Sequence, residues 1–163
     1  MFSTLHVVGS RNGLAPWFGD DTTDTLVDDP IRRTAEVDHR TQAAIDWLHR
    51  TFALAKKPKA DGVVLSIQAD TWPGSTTDGF SAIIQRMATL ALDFGKPVLV
   101  IQGDSHVYRT DQPLATGDTV HGVTQQVPNL TRIVVQGETT SEWLKLRVDP
   151  KGPTLFTWER KFR

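Results

Sequence analysis

The feature that most limits how this chain can fold is Val98-Leu-Val-Ile101, four consecutive apolar residues of which three are β-branched. Such a run is expected of a strand covered on both faces, the situation of strands in a parallel sheet. Gly103 lets the backbone turn sharply, and Asp104, Ser105 and His106 follow on its far side. In parallel sheets ligand sites form at the carboxyl ends of strands. Gly103-Asp-Ser-His106 is therefore the leading site candidate. A second run of the same kind, Val63-Val-Leu-Ser-Ile67, ends in Gln68-Ala-Asp70. Phe2 to Val8 reads as a third strand, stopped by the turn-rich Gly9-Ser-Arg-Asn-Gly13.

Between these strands the hydrophobic period changes to that of a helix. From Thr34 to Lys57, Ile45, Leu48, Phe52 and Ala55 share one face. Glu36 and Asp38 near the start and Lys56 and Lys57 at the end suit the helix dipole. His39 and His49 on this helix are expected at the surface. From Thr77 to Phe94, Phe80, Ile83, Ile84, Met87, Leu90, Ala91 and Phe94 form a complete apolar stripe. Gly95 supplies a left-handed stop and Pro97 forbids continuation. The order β-α-β-α-β predicts parallel strands joined by crossovers.

After Arg109 the texture changes. Thr110 to Pro128 is a loop rich in Gly, Thr and Pro, and three short strands follow at Thr131 to Gln136, Trp143 to Val148 and Thr154 to Glu159. Trp143-Leu-Lys-Leu-Arg-Val148 alternates with period two, and Asp149-Pro-Lys-Gly152 reads as a hairpin turn. The sequence thus predicts one α/β domain over 1–163, a βαβαβ part to residue 109 and an antiparallel β section over 110–163. Leu14 to Thr34 is irregular and acidic, either a solvated loop or a lid anchored by Trp17 and Phe18.

A net charge of −1 argues against nucleic acid or an anionic membrane as partner. No apolar run approaches the roughly 20 residues that span a bilayer. The N-terminus lacks the basic-then-apolar pattern of a signal peptide, which leaves the cytoplasm as the default location. Without cysteine, any metal falls to His, Asp, Asn or backbone oxygen. No Gly-x-Gly-x-x-Gly or Walker loop and no Gly-x-Ser-x-Gly elbow is present.

Leu5-His-Val-Val-Gly-Ser-Arg-Asn-Gly-Leu-Ala-Pro-Trp17, Gly62-Val-Val-Leu with Gln68-Ala-Asp70, and Lys96-Pro-Val-Leu-Val with Gly103-Asp-Ser-His-Val-Tyr-Arg109 together resemble the C-terminal half of certain bacterial calcineurin-like metallophosphoesterases. Val148-Asp-Pro150 and the strand carrying Phe156 and Trp158 fit the same pattern. The resemblance implies half of a four-layer αββα sandwich whose sheet edges hold two divalent metals, Mn, Zn, Fe or Mg, about 3.5–4 Å apart. The family's closing motif is Gly-His-x-His. Here Asp104 stands at its first histidine and His106 matches its second. By this resemblance His106 and Asp104 are metal ligands, with Gln68 and Asp70 further candidates. Asp104, His106 and Arg109 are then the catalytic set, and Asn12, Tyr108 and Arg109 bind a small phosphoester substrate.

The family's N-terminal motifs, an Asp-x-His start, a Gly-Asp pair and a Gly-Asn-His or Gly-Asn-Glu element, have no counterpart before Phe2. They supply most of the metal ligands and the catalytic acid. The expectation is therefore an incomplete or weakly active phosphoester hydrolase, partnered by a separate N-terminal half or by a second copy in a homodimer. The competing reading is a non-catalytic binding module that keeps the fold. A third is an unrelated doubly wound domain binding a phosphorylated ligand at the same strand ends.

Overall fold

The computed structural model describes residues 1–17, 27–72, 79–138 and 140–163. Phe18, Asp20, Asp21 and Asp24 of the acidic loop lie outside the described residues, as do Pro73, Gly74 and the expected helix start at Thr77.

Among the described residues ten elements follow in chain order: β1 (Phe2–Thr4), α1 (Gly9–Asn12), α2 (Pro30–Lys56), β2 (Val63–Ser66), α3 (Ser81–Phe94), β3 (Val98–Gln102), β4 (Arg109–Asp111), β5 (Leu130–Val134), β6 (Glu142–Val148) and β7 (Phe156–Phe162). Five of these strands form one sheet in the order β1-β2-β3-β5-β4, and β6 pairs with β7 separately. β1, β2, β3 and β5 run parallel, with Val63 opposite Val98 and Val98 opposite Leu130. β2 and β3 are thus adjacent central strands, as their apolar runs require.

Period two in those strands sorts side chains between two layers. Val63, Leu65, Val98, Val100 and Leu130 point to the helices and pack with Leu48, Phe52, Ile83, Ile84 and Met87. Val64, Leu99 and Ile133 point the other way and meet Leu144, Leu146, Phe156 and Trp158 of the β6–β7 hairpin. Each such aliphatic or aromatic side chain, fully withdrawn from water, contributes about 1.5–3 kcal/mol. The result is a helix layer, a mostly parallel sheet and a hairpin layer.

Several expectations shift in detail: the first strand ends at Thr4 rather than Val8, Gly9–Asn12 is a short helix where a turn was expected, β4 runs into the expected loop, and the last strand is Phe156–Phe162 rather than Thr154 to Glu159. The first long helix begins at Pro30 rather than Thr34. Asp29 caps it by accepting a hydrogen bond from the Arg32 backbone N–H at 3.0 Å, and Pro30 occupies the first helical position, where its missing donor costs nothing. The section after residue 110 is only partly antiparallel. β4 pairs antiparallel with β5, but β5 itself joins the sheet parallel to β3. Only β6 and β7 form the expected hairpin, with Trp143 opposite Lys161 and Leu146 opposite Trp158. α3 ends as read, with Gly95 at φ 68° donating its N–H to the Ala91 carbonyl. The loop between β4 and β5 contributes to the core, for Leu114, Val123 and Val127 enter its helix side.

Candidate functional site

The carboxyl ends of the first three parallel strands are stitched into one edge by backbone hydrogen bonds. Gln68 N–H donates to Val7 O at 3.2 Å, and Gly103 N–H donates to Gln68 O at 3.1 Å. On the next strand, Val135 N–H donates to Gln102 O at 2.8 Å. The segments after β1, β2 and β3 therefore meet, as parallel neighbours must.

Side chains extend that stitching. Gln68 Oε1 accepts the Gly9 N–H at 2.5 Å, and its Nε2 donates to Asp104 Oδ1 at 3.2 Å. A Cβ at Gly9 would overlap the Asp104 carboxylate, so the carboxylate lies directly against bare backbone. Asp104 and His106 have φ of 72° and 57°, left-handed conformations that are uncommon without glycine. Both side chains are exposed. His106 lies against Gly137, where a Cβ would overlap its ring, and its Nδ1 is 3.7 Å from Glu138 Oε1.

The remaining sequence candidates part company. Arg109 opens β4 opposite Val134, the last residue of β5, so the register sets it at the same carboxyl edge with its side chain exposed. Tyr108 turns to the hairpin layer. Its hydroxyl oxygen accepts the Trp158 indole N–H at 3.0 Å, and the Arg160 guanidinium sits 4.5 Å from its ring centre. Asn12 is fully buried. Its amide donates to Thr41 Oγ1 at 3.1 Å and to Gly79 O at 2.9 Å, and its Oδ1 accepts from Arg40 at 2.6 Å. Every polar atom of that side chain is engaged in tying the segment after β1 to α2 and to the start of α3. Asp70 is also buried, with Oδ1 accepting from Arg132 and from the Trp72 N–H, both at 3.0 Å. Among the described residues, no group of three or more His, Asp or Glu side chains is placed to hold a metal ion.

Beside this edge, beneath the loop between β4 and β5, lies a buried polar cluster that the sequence reading missed. Arg132 bridges Asp70 and Asp111, the latter through two hydrogen bonds at 2.8 and 2.5 Å, and lies 5.0 Å from the Trp72 ring centre. Trp72 donates its indole N–H to Asp118 at 2.7 Å and packs edge-on against His121. His121 donates Nε2–H to Thr71 O at 2.9 Å, which makes Nδ1 the acceptor for the Ser81 hydroxyl at 3.2 Å. Burial lowers the His121 pKa, opposed by the Thr71 carbonyl and by Asp118. One signal for this cluster was present in the sequence: an arginine inside the apolar run Leu130-Thr-Arg-Ile-Val-Val135 requires a buried partner.

Comparison of the chain with models of protein families, with curated proteins and with solved structures finds no match. Among the described residues, no helix is long and apolar enough to cross a membrane.

Proposed function

We propose that this chain is a metallophosphoesterase-like domain, related to metal-dependent phosphoester hydrolases, that presents Asp104 and His106 as two ligands for a divalent cation and is weakly active by itself. The observation that carries this reading is the turn after β3. Two chemistry-bearing side chains stand exposed there on left-handed backbone, at the carboxyl end of a central parallel strand. Conformations of this kind cluster at functional sites and persist where the surrounding structure holds them. The layer order of helices, sheet and hairpin also agrees with half of an αββα sandwich.

The donor chemistry fits such an ion in kind. A carboxylate oxygen and an imidazole nitrogen suit Mn, Zn or Fe, and the carboxylate suits Mg. It does not fit in number, because among the described residues no third His, Asp or Glu side chain joins these two donors. When bound, such an ion supplies Lewis-acid stabilisation of charge developing on phosphoester oxygens. The chain's own part is to hold Asp104 and His106 in place and to offer the Arg109 guanidinium, which suits a phosphate oxygen at the same edge.

A non-catalytic binding module is the second reading, favoured by the shortage of ligands. Titration calorimetry with Mn²⁺ and hydrolysis of bis-p-nitrophenyl phosphate separate the two. The proposed function requires weak Mn²⁺ binding that His106→Ala abolishes, together with slow Mn²⁺-dependent hydrolysis. Mn²⁺ binding of equal strength in the parent and in His106→Ala overturns it. Binding without turnover selects the module.

A further inference from the structure

We infer that Gly9 with Gln68, and Gly137 with Gln136, are positioning pairs for Asp104 and His106, each pair joining a bare backbone platform to a bracing amide. The inference rests on the reading above that Asp104 and His106 face a ligand, and it assigns Gln68 to positioning instead of to the metal.

The two arrangements follow one plan. At Asp104 the platform is Gly9, where any Cβ would overlap the carboxylate. At His106 the platform is Gly137, where a Cβ would overlap the imidazole ring. Neither glycine has a positive φ, so backbone freedom is not what either position requires. What each position excludes is a side chain, which allows close approach. Gln68 joins platform to carboxylate with both ends of its amide, accepting from Gly9 N–H and donating to Asp104. Gln136 grips the backbone on both sides of Val107. Its Nε2 donates to His106 O at 2.7 Å and its Oε1 accepts from Tyr108 N–H at 3.1 Å. That is how a neighbouring strand would pair with the segment, supplied here by one side chain.

Stability alone does not account for this. The side chains being held are exposed, so neither adds to a core. A left-handed non-glycine residue is maintained only where its surroundings over-determine it, and these two pairs are such surroundings. Glu138 extends the second pair. Its carboxylate stands on the Nδ1 side of His106, with Oε1 3.7 Å from Nδ1, a charged neighbour that does not hydrogen-bond the ring. Where outer groups hold a metal ligand in place, loss of that support typically costs 10–100-fold in metal affinity.

The test uses Gly137→Ala and Gln136→Ala in the intact chain. The first adds one methyl under the ring on permitted backbone; the second removes the grip and adds nothing. In the metal-free parent, proton NMR should show an Overhauser contact between the His106 ring and Gly137 Hα. Both variants should weaken or lose it, while the exposed His49 on α2 serves as an unchanged reference. Mn²⁺ should broaden the His106 ring signals of the parent, with the half-broadening concentration rising about tenfold or more in both variants. A lost ring contact in the variants, with no Mn²⁺ broadening even in the parent, sinks the metal reading and leaves the positioning role standing. An unchanged ring contact and unchanged Mn²⁺ response in Gln136→Ala overturns the positioning role, whatever the folding of Gly137→Ala.

Discussion

Removing the Asp70 carboxylate should destabilise the fold far more than removing Asp111, although both pair with the same arginine. Arg132 and Asp70 have side chains only 2% and 4% exposed, whereas the Asp111 side chain is 36% exposed. Breaking a buried pair by deleting one partner costs about 3–5 kcal/mol, because the other charge is left in a poorly solvated place. In Asp70→Ala the guanidinium keeps Asp111 and the Trp72 ring, which puts the loss near the lower end, about 3 kcal/mol. Asp111 faces water, and screening reduces Asp111→Ala to about 1 kcal/mol. For a chain of this size each kcal/mol moves Tm by about 2–4 °C, so Asp70→Ala should melt about 6–12 °C lower than the parent. Replacing both members, as Asp70→Leu with Arg132→Met, should recover most of that loss, since apolar residues of similar volume often substitute for a buried pair without penalty. Urea unfolding at pH 7, followed by circular dichroism and tryptophan fluorescence, measures Asp70→Ala and Asp111→Ala and, with the singles Asp70→Leu and Arg132→Met added, all four corners of the Asp70–Arg132 cycle. An Asp70→Ala variant within about 1 kcal/mol of the parent, or a coupling energy near zero, would refute the reasoning. Weakened Mn²⁺ binding in such a stable variant would return Asp70 to the metal ligands.

Two further outcomes follow from the same packing. Burial holds the His121 pKa below its ordinary value of 6.5, so on acidification the unfolded chain takes up this proton before the folded chain does. Its contribution is therefore present above about pH 6.5 and declines as pH falls through that value and below; urea midpoints between pH 7.5 and 5 should fall less steeply in His121→Phe than in the parent. A Cβ at Gly62 would lie 2.8 Å from the Pro97 carbonyl and would overlap Leu155 and Phe156, so Gly62→Ala should cost about 1–3 kcal/mol by displacing the hairpin layer, read as a lower Tm with altered tryptophan emission.

The secondary elements were legible wherever a local period announced them. The two-face apolar runs at Val63 to Ile67 and Val98 to Ile101 are adjacent parallel strands, and the stripe ending at Phe94 stops at a left-handed Gly95. The start of α2 was also written locally, as Asp29 before Pro30, but proline reads as loop unless its tolerance at the first helical position is weighed. The direction of β5 was not legible. Leu130-Thr-Arg-Ile-Val134 suits either orientation, and only its place beside β3 settles it.

Sequence alone determined the layers of this protein and the loop on which its best site candidates stand, because burial on one or two faces imprints a short repeat on neighbouring residues. Tertiary structure decided what each polar residue at that edge does. Asp70 and Gln68 are two residues apart, yet one is held by Arg132, 62 positions away, and the other by Gly9, 59 positions away. Asn12, one residue before Gly13, is drawn inward by Arg40 while Asp104 remains outside. Contacts at such separations leave no period in the chain. They arise when the ends of parallel strands are brought side by side, and that geometry exists only once the sheet has formed.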